Sequence, residues 1–334
     1  MDFLSAASLP WLGDARQRLT AARAAGRLPQ SLLLLSVPGL GAQALAHWTA
    51  ALALCESQSA PCGACAACQL LRADTHPDFH AVGLLEDAQQ VKVDQIRELI
   101  EALSLSSFRG GYKVALVENA ETLNANGANA FLKTLEEPSG RTLLMLVARP
   151  SHRLPATIAS RCSKLHLRIP PPQAALAWLG ARGGAGQSWE PALELAGGAP
   201  LLALELPAAA IAQLDQQMRH TLEQIAEDRV DVTAVAEAWM KSDPALRLMW
   251  LENWITRRVQ VELGGVNSLQ TAEPVRLPAA LLKPKIRPLF ELLDAARELR
   301  RLASTGLNQQ LALEALLLDG RAALARQTRS ETRN

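Results

Sequence analysis

Four of the chain's five cysteines stand at Cys55, Cys62, Cys65 and Cys68, and residues of that type at that spacing could hold a metal ion. Zinc takes four soft ligands at tetrahedral corners, and a Cys-x2-Cys pair supplies two adjacent corners by turning the backbone around the ion. In a reducing compartment such a cluster points to metal rather than to disulfides. Four thiolates leave no open coordination position, which implies a structural ion. Buried or redox-active cysteines are the alternative. His76 and His80 lie nearby, but the four cysteines complete the shell without them. Cys162 stands alone, and a solitary small apolar cysteine is by default a packing residue.

A second group of residues has the outline of a phosphate-binding loop and the wrong side chains. The stretch Ser36-Val37-Pro38-Gly39-Leu40-Gly41-Ala42-Gln43 lies between an apolar run and an Ala-rich helix. A working loop reads GxxxxGK[ST]: its lysine reaches the outer phosphates and its hydroxyl holds magnesium. Here Ser36 replaces the first glycine, Ala42 the lysine and Gln43 the hydroxyl residue. The backbone could still form an anion-binding nest, but the neutralising charge is gone. The matching acidic motif, Val114-Ala115-Leu116-Val117-Glu118-Asn119, keeps one carboxylate, Glu118, and has Asn119 where a second acid is usual. Together these departures argue against hydrolysis and against productive binding of ATP or magnesium. A plain tight βα turn at 36–43 is the other reading.

The elements that position these residues are legible from periodicity. Strands are expected at Ser31–Val37, Phe79–Leu84, Lys113–Glu118 and Leu143–Ala148, each a short apolar run. Helices are expected after the Gly turn through Leu54, after Asp94 as N-cap (Ile96, Leu99, Ile100 and Leu103 on one face), and around Ala128, Phe131, Leu132 and Leu135 up to Pro138. Continuous apolar strands alternating with helices predict a parallel sheet covered on both faces. Beyond about residue 166 the strands end. Pro170-Pro171-Pro172 marks a boundary, helices fill the remainder, and Gly264–Pro278 reads as an exposed linker.

Taken in order, these features resemble the clamp-loader branch of the AAA+ proteins that serves bacterial DNA polymerase III. The resemblance rests on the degenerate P-loop, the four-cysteine insertion, Thr75-His76-Pro77-Asp78, and Glu118-Asn119-Ala120-Glu121. Phe131–Pro138 (FLKTLEEP) and Leu154–Cys162 (LPATIASRC) complete it. It implies an α/β AAA+ P-loop-type domain with an inserted zinc module over 1–165, a small helical lid over 166–207 and an all-α collar over 208–334. It implies that Arg161 is an arginine finger, reaching from one subunit into the ATP site of its neighbour; an ion-paired surface arginine is the alternative. Leu201, and Val147-Ala148-Arg149, fall where active relatives keep nucleotide sensors. The zinc insertion also occurs in the gamma/tau motor subunits, so the missing lysine is what points to a non-hydrolysing member. Implied partners are the gamma/tau and delta subunits and, through them, the sliding clamp and primer-template DNA.

Composition bounds the alternatives. A formal net charge of +1 over 334 residues offers no global attraction to nucleic acid, which disfavours a free-standing zinc-ribbon binder. An active motor would need a lysine at position 42 or a substitute from elsewhere, and a metabolic P-loop enzyme would need an acid, base or nucleophile constellation that is missing. The N-terminal residues lack the pattern of a signal peptide and the apolar runs are too short to span a membrane, so a cytoplasmic protein is expected. Trp178, Trp189, Trp239, Trp250 and Trp254 are expected to pack. Lys283, Lys285, Arg287, Arg297, Arg300 and Arg301 are expected on a solvated helix face, with subunit or DNA-backbone contact as the other reading.

Overall fold

The computed structural model describes residues 3–86, 88–149, 154–184, 186–262, 287–301 and 309–331. The chain divides into two compact units, Met1–Pro170 and Pro171–Asn334. In the first, two 3-10 turns lead into α1 (Gly13–Ala24), followed by β1 (Ser31–Leu35), α2 (Ala42–Leu54) and α3 (Ala66–Arg72). Next come β2 (Phe79–Val82), α4 (Val93–Ser104), β3 (Lys113–Val117), α5 (Ala125–Glu136), β4 (Thr142–Ala148), α6 (Ala156–Ala159) and β5 (Ser163–His166).

The five strands form one parallel sheet in the order β2-β3-β4-β1-β5. Its three central strands are the most apolar: SLLLL, KVALV and TLLMLVA, with β3 buried along its whole length. The register sets Leu33 beside Leu146 and Val117 beside the same residue from the other side. A strand buried on both faces needs no polar alternation, which is why these runs are continuous. β5 was not expected. It reads Ser-Lys-Leu-His and is largely exposed, so as an edge strand it carries no apolar signature and is held by its pairing with β1.

Helix ends follow local chemistry. Asn124 Oδ1 accepts the amide of Gly127 at 2.8 Å and so caps α5. Asp94 is not the N-cap expected of it. That place belongs to Lys92, whose amide donates to Gln95 Oε1 at 3.0 Å, while Asp94 sits in the first turn and pairs with Arg97. There its charge complements the positive helix end. At the other end of α4, the buried Lys113 donates to the carbonyls of Leu103 and Leu105 and to Ser139 Oγ. Burial lowers the Lys113 pKa, and these acceptors keep its ammonium from being orphaned.

Among the described residues Phe131 is the largest fully buried side chain, with 0% of its surface exposed, in a core with Ile96, Leu99, Leu103, Ala115 and Leu144. Phe131→Ala is expected to cost about 3–5 kcal/mol through lost burial and an incompletely collapsed cavity. A urea titration that shows the midpoint unchanged would contradict this placement.

The second unit is helical: α7 (Pro172–Gly183), α8 (Glu190–Leu195), α9 (Pro200–Glu205), α10 (Ala208–Ala226), α11 (Val232–Lys241) and α12 (Pro244–Glu262). It continues with α13 (Arg287–Arg301) and α14 (Gln309–Glu331). The five tryptophans expected to pack are all buried. Arg297 and Arg300, each about half-exposed, both pair with the largely buried Glu252 of α12, and Arg287 pairs with Glu291 within α13. The expected linker Gly264–Pro278 and Lys283 and Lys285 lie outside the described residues. Among those residues, no helix is long and apolar enough to cross a membrane.

Candidate functional site

The degenerate loop lies where the fold expects a nucleotide loop, at the carboxyl edge of the sheet between β1 and α2. Gly39 and Gly41 take left-handed conformations, with φ of 82° and 83°, which side chains resist. Ser36 is buried, hydrogen-bonded through its amide to Ala148 O at 3.0 Å, and its hydroxyl donates to Val37 O at 2.8 Å. The indole of Trp11 donates to Leu40 O at 2.9 Å and fastens the turn from the N-terminal side.

Open crevices at the carboxyl ends of parallel strands are where α/β sheets bind ligands. Glu118, at the end of β3, accepts from Gln43 Nε2 at 3.4 Å and lies 3.8 Å from His47 Nε2. Gln43 and His47 are one turn apart on α2 and reach the carboxylate together. Asn119 occupies the left-handed region, φ 53°, which asparagine tolerates better than other side-chain-bearing residues. Arg149, just past β4, pairs with Glu121 instead of facing the loop alone. Pro38 and Ala42 complete the stretch without adding a charge.

The four cysteines converge as their spacing implies. Cys55 ends α2, Cys65 is the N-cap of α3 and Cys68 lies in its first turn, while Gly63 turns the chain between them. All four sulfurs lie within 4.8 Å of one another, with Cys55–Cys62 at 3.5 Å and Cys55–Cys65 at 3.9 Å. Four sulfurs 2.3 Å from a tetrahedral centre would stand about 3.8 Å apart, so the cluster fits one zinc-sized ion. None of the cysteines is in a disulfide. The amides of Ala64 and Cys65 hold the Cys62 thiol down at about 6, whereas burial pushes Cys55 and Cys68 up. The module is braced by Arg23, which donates to the carbonyls of Cys55 and Ser57, and by Arg109 on Glu56. Cys162 packs in the main core, and burial raises its thiol to about 11.

Arg161 is brought to none of these groups. It lies two residues before β5, whose first residue pairs with Leu32 near the start of β1, so it stands at the amino edge of the sheet. The loop at 36–43 follows the other end of β1, roughly 17 Å away along five residues of strand. The guanidinium folds onto its own turn, donating to Thr157 O at 3.0 Å, and pairs with Glu136 at the end of α5 (Nε to Oε1, 2.5 Å). About a third of the Arg161 side chain remains exposed.

Families described as "DNA polymerase III, delta subunit" and "DNA polymerase III, delta subunit, C terminal" match residues 12–171 and 212–321. A DNA polymerase III subunit delta' of Escherichia coli is 33% identical over 319 residues, covering 92% of this chain and 94% of its own length. The chain belongs to the delta' family of DNA polymerase III subunits. The delta' protein of Pseudomonas aeruginosa is 38% identical over 66% of this chain and 69% of its own length. Similarity to a tau subunit of Escherichia coli, at 31%, spans 43% of this chain. Within this delta' chain, sequence reasoning missed three participants. His47 could have been found, since it lies four residues beyond Gln43 on the same helical face. Glu136 was visible in the LEEP motif but not as the partner of Arg161. Trp11 carried no signal, because its carbonyl partner lies 29 residues away.

Proposed function

We infer that this delta' chain is a non-hydrolysing, stationary subunit of the clamp loader that places a sliding clamp on primed DNA. Its partners are the gamma/tau motor subunits and the delta subunit, and through them the clamp and primer-template DNA. The observation that carries this reading is the pairing of Glu118 with Gln43 and His47 at a loop without lysine. The carboxylate that would help hold magnesium is met by an amide and an imidazole, and Ala42 offers nothing to the phosphates. A nucleotide entering would have to break these contacts and would find no fixed cation in return.

The position of Arg161 supports the complementary half of the reading. At the opposite sheet edge from its own loop, it can act only on a site supplied by another subunit. A fixed, always-charged fork suits neutralisation of charge developing on a γ-phosphate. Release from Glu136 costs little, since exposed ion pairs contribute about 1 kcal/mol or less. We read residues 166–207 as the lid and 208–334 as the collar that joins the ring. Cys55, Cys62, Cys65 and Cys68 would hold zinc, which when bound cross-links the end of α2 to the start of α3 and takes no part in turnover.

Calorimetry of the isolated chain with ATP and magnesium is expected to give no binding. The double substitution Ala42→Lys with Gln43→Thr, which restores charge and hydroxyl and frees Glu118, is expected to bring binding back. Micromolar affinity in the unaltered chain would overturn the reading.

A further inference from the structure

β5 ends the sheet on one side, and nothing among the described residues pairs with its outer edge. Leu32 stands opposite Ser163 and Leu35 opposite His166, and Leu35 O accepts the amide of Leu167 at 2.9 Å. In a parallel ladder, residues that bond to one neighbour alternate with residues whose main-chain groups face away from it. Ser163, Leu165 and Leu167 therefore direct their amides at β1, while Lys164 and His166 turn their N–H and C=O groups outward. Both of these residues are exposed, and neither has a hydrogen bond among the described residues.

Charge makes this edge selective. From Pro138 to Trp189 the sequence contains no Asp or Glu, and every residue of fixed charge in that stretch is a lysine or an arginine. Arg149 and Arg161 are answered from outside it, by Glu121 and Glu136. Lys164 and Arg168, both exposed, have no ion pair or hydrogen bond among the described residues. The period of two along a strand puts Lys164 and His166 on one face, with Arg168 two residues further on. Proteins blunt edge strands with bulges, prolines or lysines. The register of β5 runs without a bulge, and Pro170 lies beyond the strand, which leaves only the lysine. Like charge sets it against a second copy of the same edge, and the same charge favours a strand of opposite sign.

We propose that β5 is a docking edge for an extended acidic segment of another polypeptide, which adds to the sheet as a further strand. The outward N–H and C=O groups of Lys164 and His166, repeating at roughly 6.6 Å, match the repeat of such a strand and supply the main-chain hydrogen bonds. Lys164 and Arg168 supply the preference for Asp or Glu side chains. A DNA backbone could use the two cations, but it carries no donors for the two outward carbonyls, so the edge fits a peptide better. The proposal does not rest on the reading of Arg161 or of the loop at 36–43.

The test is fluorescence anisotropy of the full-length, zinc-loaded chain at low salt with a labelled, end-capped peptide of alternating Thr and Glu. Three comparison probes are the Thr-Lys counterpart, the Thr-Glu peptide N-methylated throughout, and an oligothymidylate. The Thr-Glu peptide should bind and the Thr-Lys peptide should not. N-methylation keeps the charge and removes the donors, and should weaken binding about tenfold or more, the loss of two main-chain hydrogen bonds. Lys164→Glu combined with Arg168→Glu should reverse the preference between the acidic and basic peptides. His166→Pro removes only an outward amide, which an edge strand tolerates, and should weaken the Thr-Glu peptide several-fold with little change in melting temperature. Absence of binding by the Thr-Glu peptide up to about 1 mM, a weak-contact threshold, overturns the proposal. So does binding indifferent to N-methylation or to the charge reversal, or an oligothymidylate that binds where the peptide does not.

Discussion

Replacing Arg161 by alanine is expected to leave the loader assembled and to slow ATP turnover at the neighbouring site on the order of 10³-fold, the lower end of what an arginine finger contributes. Assembly should survive because the contacts Arg161 makes are with Glu136, Thr157 and Ser160 of its own chain. Each is at the surface, so little folding energy is at stake. Arg161→Lys should not rescue turnover, since a single ammonium on a flexible stem cannot reproduce the planar fork. Glu136→Ala gives the opposite test. If the ion pair merely stores the arginine, removing Glu136 should keep or raise turnover. Single-turnover ATP hydrolysis by the reconstituted loader, measured on DNA, reads all three. A rate unchanged in Arg161→Ala would remove the finger assignment and leave the arginine as a surface ion pair.

The second large effect is expected at the cysteine cluster. Cys68→Ser should abolish metal binding, taking the content from about one zinc per chain to none. Structural zinc sites of this kind carry apparent binding energies of about 10–16 kcal/mol, comparable with the whole stability of an ordinary domain, about 5–15 kcal/mol. Besides Arg23 on two carbonyls and Arg109 on Glu56, the turn between α2 and α3 is held by short-range hydrogen bonds of Ser57, Gln69 and the cysteine sulfurs themselves. The melting temperature should therefore fall by roughly 10 °C or more, at about 2–4 °C per kcal/mol for a unit of this size. Proteolysis should open the segment 55–72 first. Ligation requires thiolates, so zinc affinity should also fall as pH is lowered. Cys162→Ser is the control: it places a hydroxyl in the core at a cost of about 1–3 kcal/mol but should leave the metal content untouched. Metal analysis that finds zinc in Cys68→Ser, or none in the unaltered chain, would count against the cluster as a zinc site.

Much of the architecture was legible because it depends on local patterns. β1, β3 and β4 are buried on both faces, so their residues are continuously apolar and stand out from the amphipathic helices around them. The edge strand β5 was hidden for the converse reason: Ser163, Lys164 and His166 face solvent, and only hydrogen bonding to β1 makes them a strand. Asp94 misled for a subtler reason. An acidic residue serves a helix either as cap or in its first turn, and the choice lay with Gln95, whose amide oxygen reaches back to Lys92.

The chemistry divides along the same line. Residue type and spacing alone determined that four cysteines would meet, because Cys-x2-Cys pairs and a helix end fix their geometry within a few residues of chain. They also determined that the loop at 36–43 lacks its lysine and its hydroxyl, since an absent side chain cannot be supplied by folding. Tertiary structure decided what became of the groups that remain. It turned Gln43 and His47 onto Glu118 and placed Arg161 across the sheet from its own loop against Glu136. Each of these depends on residues tens of positions apart meeting at a sheet edge, and no local pattern in the chain encodes such a meeting.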